Sequence, residues 1–172
     1  MLERLKTYRS IRKYDQKPVE EEVLHELLTA ALLAPTSRGL RPWHFIVVRD
    51  PKVKDALSRV KVGGGGFLRE APVVVVVTAN PSISDVWVED CSIAAYTLQL
   101  CAREKGLGSC WSQIRLRTDT DGNWAEEHVR KILNLPEELA VDCIIAMGYP
   151  AEKKEPYTDA DGDWTKIHYN TY

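Results

Sequence analysis

Arg9-Ser10-Ile11-Arg12-Lys13-Tyr14 sets two guanidiniums on either side of a hydroxyl. That group suits a phosphate or another planar anion, because a guanidinium fork meets two oxygens at once. Further along, Ala34-Pro35-Thr36-Ser37-Arg38-Gly39-Leu40-Arg41-Pro42-Trp43 is a proline-bounded loop of small hydroxyl residues running into an aromatic. Its backbone and hydroxyl groups can line a flat polar ligand. Taken together the two segments point to a phosphorylated cofactor with a planar head. Each also has a plainer structural reading, the first as a solvated basic helix end and the second as a helix stop and turn; the pair is more specific than either part.

Other chemistries lack a starting residue. The four glycines Gly63 to Gly66 are not followed by the lysine and hydroxyl of a phosphate loop, and no G-x-G-x-x-G opens a helix. His25, His44, His128 and His168 are scattered, with no G-x-S-x-G nucleophile motif; His25 and His128 read as surface histidines among charged neighbours. Beyond solvated runs such as Glu20-Glu21-Glu22, no paired carboxylates stand out. Cys91, Cys101, Cys110 and Cys143 form no C-x-x-C pair and read as buried thiols, leaving no metal site and no disulfide framework. The formal net charge is −2, with a local basic arm of Arg4, Lys6, Arg9, Arg12, Lys13 and Lys17. That arm fits a small anionic ligand and not a nucleic-acid surface, which needs a broader basic face.

The elements that must position these segments follow from periodicity. At 172 residues the chain reads as one domain with enough apolar residues for a single core. Val19 to Leu33 places Val23, Leu24, Leu27, Leu28, Ala31 and Leu32 on one helical face, and Pro35 ends it. His44 to Val48 reads as a strand and Pro51 to Val60 as a helix, after which the glycine run reads as a linker in preference to a lid. Val73 to Val77, without polar alternation, reads as a central strand buried on both faces. Asp85 to Lys105 is the core helix, capped by Gly106-Leu107-Gly108. Ser109 to Ile114 is a strand, Trp124 to Leu133 a helix, and Val141 to Met147 another buried strand before Gly148-Tyr149-Pro150. The order predicts a layered α/β or α+β domain. The longest apolar run, Ala71 to Thr78, is too short to cross a bilayer and the N-terminus is charged, so the expected location is cytoplasmic, with no membrane partner. Residues 151–172 are polar and proline-punctuated yet hold Trp164, Ile167, His168 and Tyr169, which points to a tail that wraps a neighbouring subunit.

Arg9-Ser10-Ile11-Arg12, Ala34 to Trp43, Gly106-Leu107-Gly108-Ser109-Cys110-Trp111 and Gly148-Tyr149-Pro150 form one ordered series, and that series resembles the nitroreductase family of FMN-dependent NAD(P)H oxidoreductases over roughly the first 150 residues. The resemblance implies an α+β fold, a central, mostly antiparallel sheet sandwiched by helices, and an intertwined homodimer with flavin sites at its interface. It assigns FMN binding to Arg9, Ser10 and Arg12, to Pro35, Thr36 and Ser37 reaching the ring from the partner subunit, and to Gly108, Ser109, Cys110 and Trp111 along the flavin. No protein side chain is then catalytic in itself: flavin N5 carries a hydride from NADH or NADPH to a small planar electron-poor acceptor, nitroaromatic or quinone, in ping-pong order, with Arg12 as electrostatic support. A dimeric FMN-binding module without turnover, and a specialised flavin reductase such as a dehalogenase, are the alternatives. The chain departs from the family pattern at Tyr8, where many members have arginine, at Gly39 and Arg41 in the loop, and at Asp159 to Asp163, where a late basic residue often holds the phosphate; Lys153, Lys154 and Lys166 are its possible substitutes.

Overall fold

A computed structural model describes residues 1–172. Its framework is a four-stranded, wholly antiparallel sheet in the order β1-β2-β4-β3, with β1 at Trp43–Val48, β2 at Val73–Ala79, β3 at Gly108–Gln113 and β4 at Ala140–Gly148. Every residue of β2 is buried, as its unbroken valine run requires of a strand covered on both faces. Alternation then divides the core. Val73, Val75 and Val77 pack with Leu24, Leu27, Ala94 and Leu98 on one face, while Val74 and Val76 pack with Leu57, Leu68, Val129 and Ile144 on the other.

Helices α2 (Glu21–Leu32) and α5 (Trp87–Glu104) cover the first face. Glu21 and Glu22 occupy the favourable first turn of α2, and Gly106, at φ +76°, turns the chain out of α5 while Leu107 N–H returns to Ala102 O at 2.9 Å. The second face is covered by α3 (Pro51–Leu57), α4 (Phe67–Glu70) and α6 (Ala125–Leu133). Asp50 caps α3 by accepting from the N–H groups of Lys52 and Val53 at 2.7 and 3.2 Å. The helix stops at Leu57, short of the predicted Val60. Two short helices escape the periodicity argument, α1 (Leu2–Lys6) and α4, because neither is long enough to show a repeat. The glycine run is also more than a linker. Gly63 and Gly64 adopt φ of +59° and +64°, Gly65 lies so close to the Ser58 carbonyl that no side chain fits, and Leu68 N–H closes on Gly65 O at 2.9 Å.

Asp142 is the extra residue of a bulge in β4, where the register passes from Val77 opposite Cys143 to Thr78 opposite Val141. Its side chain sits in a residue only 1% exposed, with a long 3.5 Å contact from Ser92 Oγ, and burial pushes its pKa up to about 6, against the lowering influence of Cys143, Ser92 and Arg115. The folded state holds this proton more tightly than the unfolded chain, whose aspartates titrate near pH ~4. The contribution to stability is therefore complete below about pH 4 and lost as pH rises through about 6. Asp142→Asn is expected to remove that slope and to melt above the parent at neutral pH. Thermal melts across the acid range check it, and a variant that keeps the parental slope assigns the dependence elsewhere.

Candidate functional site

The N-terminal segment lies against the outer edge of β3. Ile11 N–H donates to Ser109 O at 2.9 Å, Asp15 N–H to Tyr149 O at 2.9 Å, and Ala151 N–H to Lys13 O at 3.0 Å, which fixes residues 11–15 between the start of β3 and the end of β4. The Ile11 side chain covers Gly108, where an added Cβ would stand 2.7 Å from Ile11 Cβ; only glycine allows this approach. Arg9, Ser10 and Arg12 are consequently held beside Gly108, Ser109 and Cys110. Burial raises the Cys110 thiol above its ordinary range against the lowering influence of Arg12 and Ser10. The Arg12 guanidinium has no carboxylate partner and lies 6.0 Å from the Phe67 ring centroid, while its N–H donates to Glu152 Oε1 at 2.6 Å.

Beside this segment is a cleft of about 260 Å³ whose charged lining is Arg9, Arg103, Lys153, Lys154 and Glu152, with Tyr8 and Ser109 supplying hydroxyls. Glu152 is already committed to Lys154 at 2.8 Å and to the N–H groups of Arg12 and Lys13, and these contacts, Lys154 foremost, lower its pKa to about 2. Four cations against one engaged carboxylate fit a phosphate. Tyr8 Oη lies 3.4 Å from Ser109 Oγ, and Gln99 Nε2 donates to the same hydroxyl at 3.1 Å. Burial pushes Tyr8 up to about 12, so it remains a neutral donor near neutral pH. Arg9 also bonds to Glu155 O and stacks 4.3 Å from the Tyr157 ring centroid. Of the suggested late basic residues, Lys153 and Lys154 line the cleft, whereas Lys166 pairs with Asp163 out in the tail.

Along β3 the side chains of Ser109 and Trp111 face α5 and Cys110 faces the opposite layer. Because Ser109 O points outward to Ile11, ladder alternation turns the main-chain groups of Trp111 and Gln113 outward as well, onto an edge with no further strand. Trp111 is half-buried and donates its indole N–H to Gln113 Oε1 at 2.9 Å, and Gln113 Nε2 donates to Arg115 O at 3.0 Å. The result is a flat polar edge continuing from the cationic cleft.

Pro35, Thr36 and Ser37 are not brought to this edge by their own chain. Ser37 N–H donates to Asp90 Oδ1 at 2.8 Å, near the start of α5, and Asp90 Oδ2 accepts from Ser84 Oγ at 2.8 Å. Thr36 Oγ1 accepts from Arg41 N–H at 3.2 Å, and Arg38 pairs with Asp85. Arg103, in the cleft, lies on the last turn of α5, about 20 Å along the helix from Asp90 at 1.5 Å per residue. Tyr8, Gln99, Arg103 and Glu152 were not singled out for the site by sequence; the tyrosine in an otherwise basic segment is the one signal that marked its position. His128 is also more than a surface histidine: half-buried, its Nε2 lies 2.7 Å from Asp119 Oδ2. No three His, Cys, Asp or Glu side chains are placed to hold a metal ion, and no helix is long and apolar enough to cross a membrane.

The nitroreductase family profile matches residues 5–62 and 58–149. The fold is superposable, with a TM-score of 0.98 and 48% identity over all of both chains, on a nitroreductase from Clostridium difficile R20291 described as FMN-dependent. A protein of Methanothermobacter thermautotrophicus, provisionally named NADH dehydrogenase/NAD(P)H nitroreductase, is 37% identical over 171 residues, 98% of this chain and 85% of that one. Iodotyrosine deiodinase from Thermotoga neapolitana is 29% identical over 97% of this chain and 94% of its own length. The α+β sandwich with a basic segment on its edge strand is thus an oxidoreductase architecture, and the chain belongs to the nitroreductase family.

Proposed function

We propose that this chain is an FMN-dependent oxidoreductase that passes a hydride from NADH or NADPH to a planar electron-poor acceptor, nitroaromatic or quinone in type, by a ping-pong mechanism. The observation that carries this reading is the junction of a four-cation cleft with the open edge of β3, a phosphate seat continuous with a flat polar rim. FMN, when bound, would supply the redox chemistry, hydride transfer through its N5. The protein's own tasks are binding and electrostatics. Arg9, Arg103, Lys153 and Lys154 take the phosphate, with neutral donors at Tyr8 and Ser109. Arg12, free of carboxylates, would hold the pyrimidine end of the flavin and stabilise the negative charge that reduction would leave there. Gly108 admits the Arg9–Arg12 segment, and Ile11 N–H fixes it on Ser109 O.

The loop Pro35 to Ser37, anchored at the far end of α5, serves the site of a second copy, so the working unit is an intertwined homodimer. The tail 151–172 wraps that copy, and the chain forms a single flavin-binding domain. The protein purified with FMN is expected to be yellow and to bleach anaerobically on adding NADH or NADPH, with parallel reciprocal plots against the acceptor. A colourless chain that refuses added FMN defeats the reading; a yellow one that neither reductant bleaches makes it a binding module. The similarity to a deiodinase gives reductive dehalogenation a specific place among the acceptors to be profiled.

A further inference from the structure

Beyond the end of β3 a second cleft, of about 340 Å³, opens toward the start of α6. Arg115, Arg117 and Arg130 line it together with Trp124 and Leu116. Arg117 has no ion-pair partner, Arg115 lies 5.8 Å from the Trp87 ring centroid, and Arg130 donates to Pro136 O at 2.6 Å while standing 3.6 Å from Glu126. Glu126 is itself engaged by Val141 N–H at 3.0 Å, so Glu127 is the one uncommitted acid on the wall. Trp124 and Leu116 are 52% and 62% exposed, and Leu116 holds a φ of +57°. An apolar side chain that is both exposed and in the left-handed region is unfavourable on two counts.

The loop that presents these groups is fixed. Thr118 bridges to Trp124, and the Asp119 carboxylate collects the N–H groups of Asp121 and Asn123 at 2.9 Å each and His128 Nε2 at 2.7 Å. The cleft follows β3 directly along the chain, since Arg115 comes two residues after Gln113, the last residue of that strand. At about 3.3 Å per residue, β3 runs roughly 13 Å from Ser109 to Gln113, so Arg115 stands just past the stretch that borders the ring in the reading above.

We propose that this cleft binds the adenosine end of the nicotinamide dinucleotide, with the adenine against Trp124 and its 2′-phosphate on Arg117 and Arg115, and so selects NADPH over NADH. The indole offers an aromatic face, and Arg115 and Arg117, neither of them in an ion pair, match a phosphate dianion; NADH, which has a hydroxyl there, does not engage them. The inference rests on the reading of the chain as an NAD(P)H-dependent enzyme.

Adenosine 2′,5′-bisphosphate is the probe, titrated calorimetrically into the full-length FMN-loaded protein. It is expected to bind, to compete with NADPH in turnover, and to bind more tightly than adenosine 5′-monophosphate. Arg117→Gln and Trp124→Ala are each expected to weaken it about 10-fold and to raise the KM for NADPH, with FMN content unchanged. Both side chains are exposed, and an unchanged melting temperature verifies the fold. No binding, equal binding in the variants, lack of competition, or no preference for NADPH overturns the assignment. A holoprotein that both reductants bleach but that ignores these substitutions defeats the cleft alone; a chain that takes up no FMN defeats both readings.

Discussion

Arg12→Ala is expected to weaken FMN binding by roughly 10- to 100-fold and to slow reduction of whatever flavin remains bound. The range follows from the ~1.5–3 kcal/mol that a hydrogen bond to a charged group contributes, taken at 1.4 kcal/mol for each factor of ten. Two features isolate the guanidinium as the cause. The main chain at Arg12 is fixed independently, by its own N–H on Glu152 Oε1 and by Ile11 N–H on Ser109 O, so truncation leaves the segment in place. The guanidinium also has no carboxylate to release, so no buried partner is left stranded. Arg12→Lys keeps the charge and loses the fork, and should fall between parent and alanine variant. Flavin titration by absorbance, followed by stopped-flow reduction with NADPH, separates the two effects. Normal affinity together with a normal reduction rate removes Arg12 from the site.

The framework that holds Arg12 was legible because it rests on local pattern. Val73 to Val77 has no polar alternation and can only be a strand covered on both faces, and α2 and α5 begin and end within two residues of where caps, glycine and proline put them. The basic segment, the loop and the Gly106 to Trp111 turn were legible as motifs. What remained hidden depends on contacts between distant parts of the chain. Arg103-Glu104-Lys105 reads as an ordinary charged helix end, and only its approach to Gly108 and Lys153 makes it part of an anion cleft. Nor does local pattern mark Asp90 and Asp142 as buried acids; one is buried where it accepts from the loop at Ser37, the other where a bulge turns it inward. Short helices such as α4 give no period to detect, and the glycine run carries no sign in sequence of the carbonyl packed against Gly65.

Truncation after Pro150 is expected to halve the apparent mass on size exclusion and to abolish FMN retention, and the second loss has a cause beyond the first. Residues 151–172 are tied to their own chain mainly in their first half, by Ala151 N–H to Lys13 O at 3.0 Å, Glu152 to the N–H groups of Arg12 and Lys13, Tyr157 N–H to Lys6 O at 2.8 Å, Lys6 Nζ to Asp159 at 2.9 Å, and Arg9 to Glu155 O and the Tyr157 ring. They nevertheless carry Trp164 and Tyr169 at 73% and 79% exposure. Burying each such side chain on a second copy contributes about 2 kcal/mol, enough in sum to hold a dimer that the tail encloses. Ile93 and Tyr96 on the outer face of α5 offer it further apolar surface. Loss of mass therefore reports the wrap. Loss of flavin has several sources, since Lys153 and Lys154 leave the cleft with the tail, Glu152 releases the N–H groups of Arg12 and Lys13, and the partner loop goes with the dimer. The double variant Lys153→Ala/Lys154→Ala separates the two, since it should elute with the parent while binding FMN more weakly. An unchanged elution volume for the truncated chain would place the aromatic tail outside any subunit contact, whereas parental FMN affinity in the double variant would leave Arg9 and Arg103 as the phosphate's cationic partners.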